Sequence, residues 1–225
     1  MPAERPGAGE PDEEPLNLYD AEGRVVGAAP RSEAKRSGRA VGAVNVLLVN
    51  ARGEVLLQRR PEDKENGGLW DKSVGGHVSA GEAFDDTAVR EAGEELFDDG
   101  ASPRVRLAPS PEAFAALLPS TDLARVVLFR RASLQLGLRD VRHAPARGGL
   151  RNVVYHVAVY LGRTDIAREG FRPQRDEIAD LRYFGASAID AMLLRGELAP
   201  NMAFLWLTHA LPLLALVALG PGLEL

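Results

Sequence analysis

The amino-acid sequence predicts an α/β domain in which helices pack against a β-sheet. Two apolar runs, at residues 40–50 and 54–58, flank a turn at residues 51–53, a pattern typical of a β-hairpin. A helical pattern follows at residues 83–96, and a strand pattern returns at residues 153–162. Because strands and helices are intermixed along one chain, packed layers of both types are the expected architecture.

The chain ahead of the helix is expected to contain a tail, another hairpin and a loop. Residues 1–15 are rich in proline, glycine and glutamate and predict a disordered tail, so the fold is expected to begin at Leu16. Residues 16–20 and 24–29 predict a small hairpin. Residues 61–78 carry turn formers and two Gly-Gly pairs, which predict a structured loop.

The helix at residues 83–96 is expected to bury one side. Its packed side is predicted to consist of Ala83, Phe84, Thr87, Ala88, Ala92 and Leu96. The predicted elements after it are a short helix at 112–118, a strand or a helix at 124–136, a loop at 140–149, a strand at 181–184 and a helix at 186–195.

The C-terminal segment, residues 203–225, is predicted to be an apolar helix. No Asp, Glu, Lys or Arg occurs from Leu198 to Leu223, a length and composition that a membrane span also has. However, His209 and Pro212 interrupt the run, and no basic cluster flanks it. We therefore expect no membrane span, and a helix that packs on the domain or in the interface of a homodimer.

Composition excludes several classes of function. The 225 residues carry a net charge of −5, which argues against a nucleic-acid partner because phosphate contacts need a basic face. The chain has no cysteine, which excludes disulfides, thiolate metal ligands and cysteine nucleophiles. No basic-then-apolar leader opens the sequence, so the cytoplasm is the expected location.

The most informative stretch is GHVSAGEAFDDTAVREAGEE, residues 76–95. On a helix, Glu91 lies three residues before Glu94 and four before Glu95, so the three carboxylates share one face. Three like charges repel one another unless a cation joins them. Mg²⁺ prefers oxygen ligands and is commonly shared between carboxylates and substrate phosphates, so this face predicts a magnesium site.

Neighbouring residues are candidates to support that metal. Arg90 stands four residues before Glu94 and is expected to orient its carboxylate. Glu82 lies at the helix entry, where the helix dipole favours an anion, and is a candidate either to brace Arg90 or to bind metal. Gly75 and Gly76 are expected to let the backbone approach a metal or a phosphate.

This spacing resembles the Nudix box, Gly-x5-Glu-x7-Arg-Glu-U-x-Glu-Glu-x-Gly-U, where U is a bulky aliphatic residue. Every polar position of the box is present, whereas small Ala92 stands at the first U and residues 96–98 read Leu-Phe-Asp instead of x-Gly-U. Residues 23–38, 52–82 and 176–201 also resemble the Nudix branch close to isopentenyl-diphosphate isomerase.

The resemblance implies a Nudix-type α/β/α sandwich with a mixed β-sheet, in which a loop, a helix and a loop carry the site. The Nudix domain would span residues 16–202, with residues 98–149 as an insertion that the resemblance does not cover. It implies a hydrolase that uses Mg²⁺, or Mn²⁺ as a substitute, to split the diphosphate of a nucleoside diphosphate linked to another moiety X. The implied metal-binding residues are Glu91, Glu94, Glu95, Gly76 and Glu82.

The resemblance leaves the other roles open. Glu94, Glu91 and the distant Glu177 compete for the role of general base, and Arg90 belongs to the catalytic set. Phosphate binding is expected from Arg59, Arg60, Gly75 and Gly76, although arginines at a strand end are more often simply solvated.

Isomerase activity is disfavoured by two substitutions. The isomerase needs a cysteine in the segment that here reads VGGH, residues 74–77, and its early metal-binding histidine would fall near Val41. His77 remains, and a lone histidine is more often a hydrogen-bonded loop residue than a metal ligand.

A catalytically weak Nudix fold that binds or senses nucleotides is the other alternative. Phe97 stands where the helix normally ends in a left-handed glycine, and Gly93 lies inside the helix at a cost of about 1 kcal/mol relative to alanine. Gly100 is expected to end the helix a turn later. Neither change removes a carboxylate from the predicted metal site.

Overall fold

The computed structural model describes residues 14–144, 149–174 and 176–219. Within these ranges the strands are β1 (Pro15–Tyr19), β2 (Val25–Pro30), β3 (Ala40–Val49), β4 (Val55–Arg59), β5 (Trp70–Asp71), β6 (Val74–His77), β7 (Val105–Ala108), β8 (Val127–Ala144), β9 (Gly149–Arg163) and β10 (Asp180–Phe184). The α-helices are α1 (Arg31–Ala34), α2 (Phe84–Phe97), α3 (Pro111–Leu117), α4 (Ala186–Arg195) and α5 (Pro200–Ala215).

The chain folds as two compact units that are interleaved in sequence. Of the described residues, the first unit contains 14–43, 77–84, 135–144 and 149–157. The second unit contains 44–76, 85–134, 158–174 and 176–219. Strands β3, β6, β8 and β9 each contribute residues to both units.

The first unit contains the predicted N-terminal hairpin. Strands β1 and β2 pair antiparallel, and Leu18 of β1 also pairs with Val41 of β3. A small apolar core of Leu16, Ala34, Val41 and Val153 holds this unit together. The fold begins at Pro15, one residue before the expected start, and residues 1–13 of the predicted tail lie outside the described residues.

The second unit contains a mixed sheet with the strand order β10-β4-β3-β9-β8-β7. The predicted hairpin of β3 and β4 is confirmed by the antiparallel pairing of Leu48 with Leu56. Strand β10 pairs antiparallel with β4, whereas β7 and β8 run parallel. The sheet is therefore mixed, as the resemblance implied.

Side-chain alternation places helices on both faces of this sheet. Gln58 of β4 pairs with Asp71 of β5, and the Gln58 side chain is hydrogen-bonded to Glu95 of α2 on that face. Trp70 precedes Asp71 in β5, so its side chain points to the opposite face of the sheet. There its ring contacts that of Phe184 of β10 edge-on, with the ring centroids 4.7 Å apart. These two aromatic rings and residues of α4 line a groove of about 370 Å³ on that face. The α/β/α sandwich is thereby confirmed within the second unit.

Helix α2 agrees with the predicted helix at residues 83–96, except at its two ends. Ala83 is exposed and precedes the helix, so its predicted place on the packed side is wrong. The expected termination at Gly100 is also wrong, because α2 ends at Phe97 and Asp98 takes the left-handed conformation with φ of 54°. Aspartate is one of the few non-glycine residues that adopt this conformation readily.

Gly93 has a packing role that the sequence did not reveal. The chain after α2 folds back, so that the Asp99 amide donates to the Gly93 carbonyl at 3.1 Å. A Cβ atom at residue 93 would collide with the carbonyl oxygen of Asp99. The glycine inside the helix is therefore required by the turn that follows it.

The region at residues 98–149 adds strands β7 and β8 to the sheet and contains helix α3. The predicted short helix is confirmed as α3, which Ser110 caps by accepting a hydrogen bond from the Ala113 amide. The predicted loop at residues 140–149 is wrong over its described part, because β8 continues to Ala144 and β9 begins at Gly149.

The C-terminal apolar helix is present and begins earlier than predicted, at Pro200. By length and composition alone, Pro200–Leu219 is the one helix among the described residues that is long enough and apolar enough to cross a membrane. Its buried side carries Met202, Leu205, Trp206, His209 and Leu213. The Trp206 indole donates to the Asp190 carboxylate at 2.7 Å, so α5 packs on α4 within the second unit.

Candidate active site

Helix α2 presents the predicted carboxylates at the edge of its packed side. Thr87, Ala88, Ala92 and Leu96 are buried, which sets the rotation of the helix. Glu95 is consequently 6% exposed, whereas the side chains of Glu91 and Glu94 are 15% and 38% exposed. The three carboxylates thus form a gradient from the interior to the surface.

Glu95 is a buried carboxyl group with two hydrogen-bond donors. Its Oε2 atom accepts from the Gly75 amide at 3.1 Å and from Gln58 Nε2 at 3.2 Å. Burial, together with the neighbouring Glu91 carboxylate, raises the pKa of Glu95 to about 8 against the opposing influence of Lys72, the Gly75 amide and Arg60. Without a metal, this group therefore holds its proton at neutral pH.

Arg90 joins the other two carboxylates. Its Nη1 atom lies 2.8 Å from Glu94 Oε2, and its Nη2 atom lies 3.1 Å from Glu91 Oε1. The predicted pairing with Glu94 is confirmed, and the contact with Glu91 is additional. We call Glu91, Glu94 and Glu95 the carboxylate row. The Arg90 guanidinium group neutralises and orients two of its members.

The two glycines of β6 leave room for side chains that approach from elsewhere. A Cβ atom at Gly76 would overlap the Glu91 carboxyl group, and one at Gly75 would overlap the end of the Lys72 side chain. Gly76 is therefore the residue that lets Glu91 lie against the β6 backbone. The approach of a metal or a phosphate to the backbone of Gly75 and Gly76 stays a prediction.

Three residues of this site were not predicted: Gln58, Asp71 and Lys72. Each is at least nine-tenths buried, and Lys72 Nζ lies 3.1 Å from Asp71 Oδ2. The sequence signal for Asp71 and Lys72 was the tryptophan that precedes them. A large apolar residue such as Trp70 is usually buried to a large extent, which indicates that the segment is not a fully solvated loop.

The two strand-end arginines have different surroundings. Arg59 is exposed, donates to the Gly68 carbonyl at 2.9 Å and pairs with Glu62. Arg60 is half-buried, and its charge is close enough to act on Glu95. Because neighbouring strand residues point to opposite faces, Arg60 lies on the carboxylate side and Arg59 does not. Only Arg60 keeps its predicted role as a phosphate-binding candidate at this site.

The remaining candidates lie in other surroundings. Glu177 forms an ion pair with Lys64, with 2.7 Å between Oε1 and Nζ. Glu82 belongs to the first unit, where its carbonyl oxygen accepts a hydrogen bond from Asn17. His77 also belongs to the first unit, and its ring lies 6.0 Å from that of Tyr155. Roles for Glu177 in catalysis and for Glu82 in metal binding stay predictions.

The donor chemistry of the carboxylate row fits Mg²⁺, which prefers hard oxygen ligands. Within residues 14–144, 149–174 and 176–219, no three His, Cys, Asp or Glu side chains are gathered around one point. The ion pairs of Arg90 with Glu91 and Glu94 account for this arrangement. The hydrogen bonds from Gly75 and Gln58 both end on Glu95 Oε2, and metal binding by this carboxyl group stays a prediction.

Comparison with known families places this geometry in context. A family profile described as NUDIX domain matches residues 39–203. The chain belongs to the Nudix family. The carboxylate row on α2 is therefore the Nudix box of this protein, and the match includes residues 98–149.

Related proteins support the same assignment over part of their length. An uncharacterized Nudix hydrolase from Pseudomonas aeruginosa is 40% identical over 86 residues, which are 38% of this chain and 51% of that protein. An isopentenyl-diphosphate Delta-isomerase from Nocardia farcinica is 40% identical over 84 residues, which are 36% of this chain and 48% of that protein. The chain spans about half the length of these curated relatives.

A solved structure supports the fold over most of the chain. A crystal structure of a Deinococcus radiodurans protein aligns with a TM-score of 0.57 at 23% identity. The alignment covers 85% of this chain and 96% of that protein. At this level of identity the likeness shows a shared fold.

Proposed function

We propose that this protein is a Mg²⁺-dependent hydrolase that splits the diphosphate of a nucleoside diphosphate linked to another moiety. The observation that carries the proposal is the carboxylate row of Glu91, Glu94 and Glu95 on the Nudix helix, with Gly76 making room for Glu91. The Pseudomonas relative, which is 40% identical over 86 residues, is named a Nudix hydrolase.

The chain's own residues have distinct roles in this proposal. Glu91, Glu94 and Glu95 would hold the metal, which supplies charge neutralisation for the phosphates and lowers the pKa of an attacking water. Arg90 orients Glu91 and Glu94 through its two ion pairs. Arg60 adds positive charge on the same face of the sheet. These groups bind and orient a diphosphate without requiring a covalent intermediate on the protein.

Glu94 is the best-placed general base among the three candidates. A base must reach a water molecule, and the Glu94 side chain is the most exposed of the row. Glu95 is nearly enclosed and already engages two donors through one oxygen, which suits a metal ligand better than a proton acceptor. Glu177 is engaged by Lys64.

The competing functions are less well supported by the site. The likeness to an isomerase covers about a third of this chain, and no cysteine is available for the protonation step of that enzyme. The irregular helix end, which raised the possibility of a binding module, is accommodated by Asp98 and Gly93 without loss of a carboxylate. Hydrolysis requires no residue that this site lacks.

A substrate screen tests the proposal directly. The purified protein would be incubated with Mg²⁺ or Mn²⁺ and nucleotide sugars, ADP-ribose, dinucleotides, and nucleoside di- and triphosphates. Release of a mononucleotide or phosphate that requires the divalent cation is the expected result. Tight binding of one such compound without turnover would instead favour the sensing module and contradict the hydrolase.

A further inference from the structure

Asp71 and Lys72 form a buried ion pair next to Gly75 of strand β6. Lys72 is 7% exposed and Asp71 is 2% exposed, and their charged groups are 3.1 Å apart. Taking an ammonium group out of water costs several kcal/mol even after the protein relaxes. A lysine that served only solubility would lie at the surface, so its burial requires a structural or functional reason.

Lys72 lies directly beside the backbone that holds Glu95. The end of its side chain fills the space where a Cβ atom of Gly75 would be, with Nζ 2.9 Å from that position. The amide of the same glycine donates to Glu95 Oε2 at 3.1 Å. Lys72, Gly75 and Glu95 are thus consecutive members of one packed group.

Asp71 holds the charged end of Lys72. Its Oδ1 accepts a hydrogen bond from the Lys72 amide at 2.8 Å, while its Oδ2 lies 3.1 Å from Nζ. The same lysine side chain packs against Gly75, so its conformation bears on the amide that donates to Glu95.

We propose that Lys72 is a positioning residue of the metal site, which fixes the Gly75 backbone of β6 against Glu95, the carboxylate that the proposed function assigns to Mg²⁺. Asp71 acts through Lys72 by orienting it. This inference rests on the proposed function, because it assumes that Glu95 is a metal ligand.

The competing explanation is that Lys72 only neutralises Asp71. The two explanations differ in the double substitution Asp71→Asn with Lys72→Met, which removes both charges together and leaves no unpaired buried charge. If Lys72 only neutralised Asp71, the double variant would bind Mg²⁺ as the wild type does. If Lys72 positions Glu95, the double variant loses affinity.

The experiment measures Mg²⁺ binding by isothermal titration calorimetry, together with the melting temperature, on the full chain. The single Asp71→Asn variant keeps the cation and the oxygen that accepts the Lys72 amide but removes the oxygen that contacts Nζ, so its Mg²⁺ affinity is expected to fall by less than that of the double variant. Adding Lys72→Met to it is expected to weaken Mg²⁺ binding by about tenfold or more, as substitutions behind metal ligands do.

Two controls accompany these variants. A double substitution of the exposed pair Arg195 and Glu197, as Arg195→Met with Glu197→Gln, removes an ion pair of the same unit and is expected to leave Mg²⁺ affinity unchanged. Glu95→Gln is expected to weaken Mg²⁺ binding more than the Asp71→Asn, Lys72→Met double variant does, because it changes the proposed ligand itself.

The outcomes separate this inference from the proposed function. Equal Mg²⁺ affinity of the wild type and the Asp71→Asn, Lys72→Met double variant would overturn the role of Lys72 and leave the hydrolase proposal intact. A wild-type protein that binds Mg²⁺ but hydrolyses no diphosphate would contradict the hydrolase alone. A wild-type protein that binds no Mg²⁺ would overturn both.

Discussion

At the scale of single residues, the three carboxylates of the site differ in their exposure to solvent. Glu95 is almost fully buried, Glu91 is slightly exposed, and Glu94 is the most exposed. Burial and the neighbouring Glu91 carboxylate both favour the protonated form of Glu95, so a divalent cation that binds there would displace a proton. This makes the protonation of Glu95 the most direct report on the site.

The pH dependence of stability is the first prediction. The pKa of Glu95 in the fold, about 8, lies above its ordinary value of 4.5, so the folded state binds this proton more tightly than the unfolded state does. Its contribution to the free energy of unfolding is complete below about pH 4.5 and is lost as the pH rises through 8. Denaturant unfolding of metal-free protein from pH 5 to pH 9 measures the change.

The matched variant for this measurement is Glu95→Gln. Glutamine does not titrate, so the difference in unfolding free energy between wild type and variant should move by a few kcal/mol over this range, in favour of the variant at high pH. A difference that stays constant with pH would show that Glu95 titrates normally.

The role of Glu94 leads to the second prediction. Glu94→Gln should lower kcat by about 10² to 10⁴, the usual effect of removing a general base, on whichever substrate the screen identifies. Its melting temperature should change little, because the side chain is partly solvated and its ion pair with Arg90 is partly screened. Unchanged kcat would remove Glu94 from the catalytic set.

At the scale of elements, α2 and the turn behind it determine how the box is held. The helix end is irregular by family pattern, yet Asp98 supplies the left-handed residue and Gly93 supplies space for the returning chain. Strand β6, which precedes the helix, contributes Gly75 and Gly76, whose missing side chains make room for Lys72 and Glu91. Glycine placement, rather than helix propensity, therefore sets the geometry of this segment.

Gly93→Ala provides the third prediction, in which helix propensity and packing disagree. Propensity alone predicts that alanine stabilises the helix by about 1 kcal/mol. The collision with the Asp99 carbonyl oxygen predicts a loss of about 1 to 3 kcal/mol instead, and we expect the loss. Chemical denaturation decides between the two signs.

Asp98→Gly is the companion variant for this test. It relieves the left-handed strain at Asp98 and is expected to raise stability by up to about 1 kcal/mol. If Gly93→Ala proved stabilising, the turn would not pack against the helix as the structure has it.

At the scale of the whole molecule, the second unit contains both the site and the C-terminal apolar helix. Arg163 donates to the Leu216 carbonyl at 2.8 Å from a buried position, and so ties the end of this segment to β9. The outward face is also apolar, with Leu207 and Leu211 more than seven-tenths exposed. Surface helices usually carry polar residues there, so the sequence-based expectation of a homodimer remains a prediction.

The two sides of α5 supply the fourth prediction through one matched pair of leucines. Leu205 is buried, so Leu205→Ala should cost about 2 to 5 kcal/mol of unfolding free energy. Leu211 is exposed, so Leu211→Ala should stay within about 0.5 kcal/mol at low protein concentration. A loss at Leu211 that grows with protein concentration would indicate that a second copy covers this face.

The regular parts of the fold could be predicted because they depend on local pattern. Both hairpins and helices α2, α3 and α4 follow from apolar periodicity and turn residues. The strand character of residues 140–144 and Gly149 was missed, because strand formation depends on pairing with a neighbouring strand more than on the preference of each residue.

The sequence by itself determined the Nudix box, the order of Glu91, Glu94 and Glu95 on one helical face, and the absence of cysteine chemistry, because each depends only on residue type and spacing. The tertiary structure decided the rest. It buried Glu95, brought Gln58 and Lys72 to it, separated Arg60 from Arg59, and made Gly93 a packing residue. Burial and the charges of distant neighbours set the chemistry of a carboxylate, and neither is visible before the chain has folded.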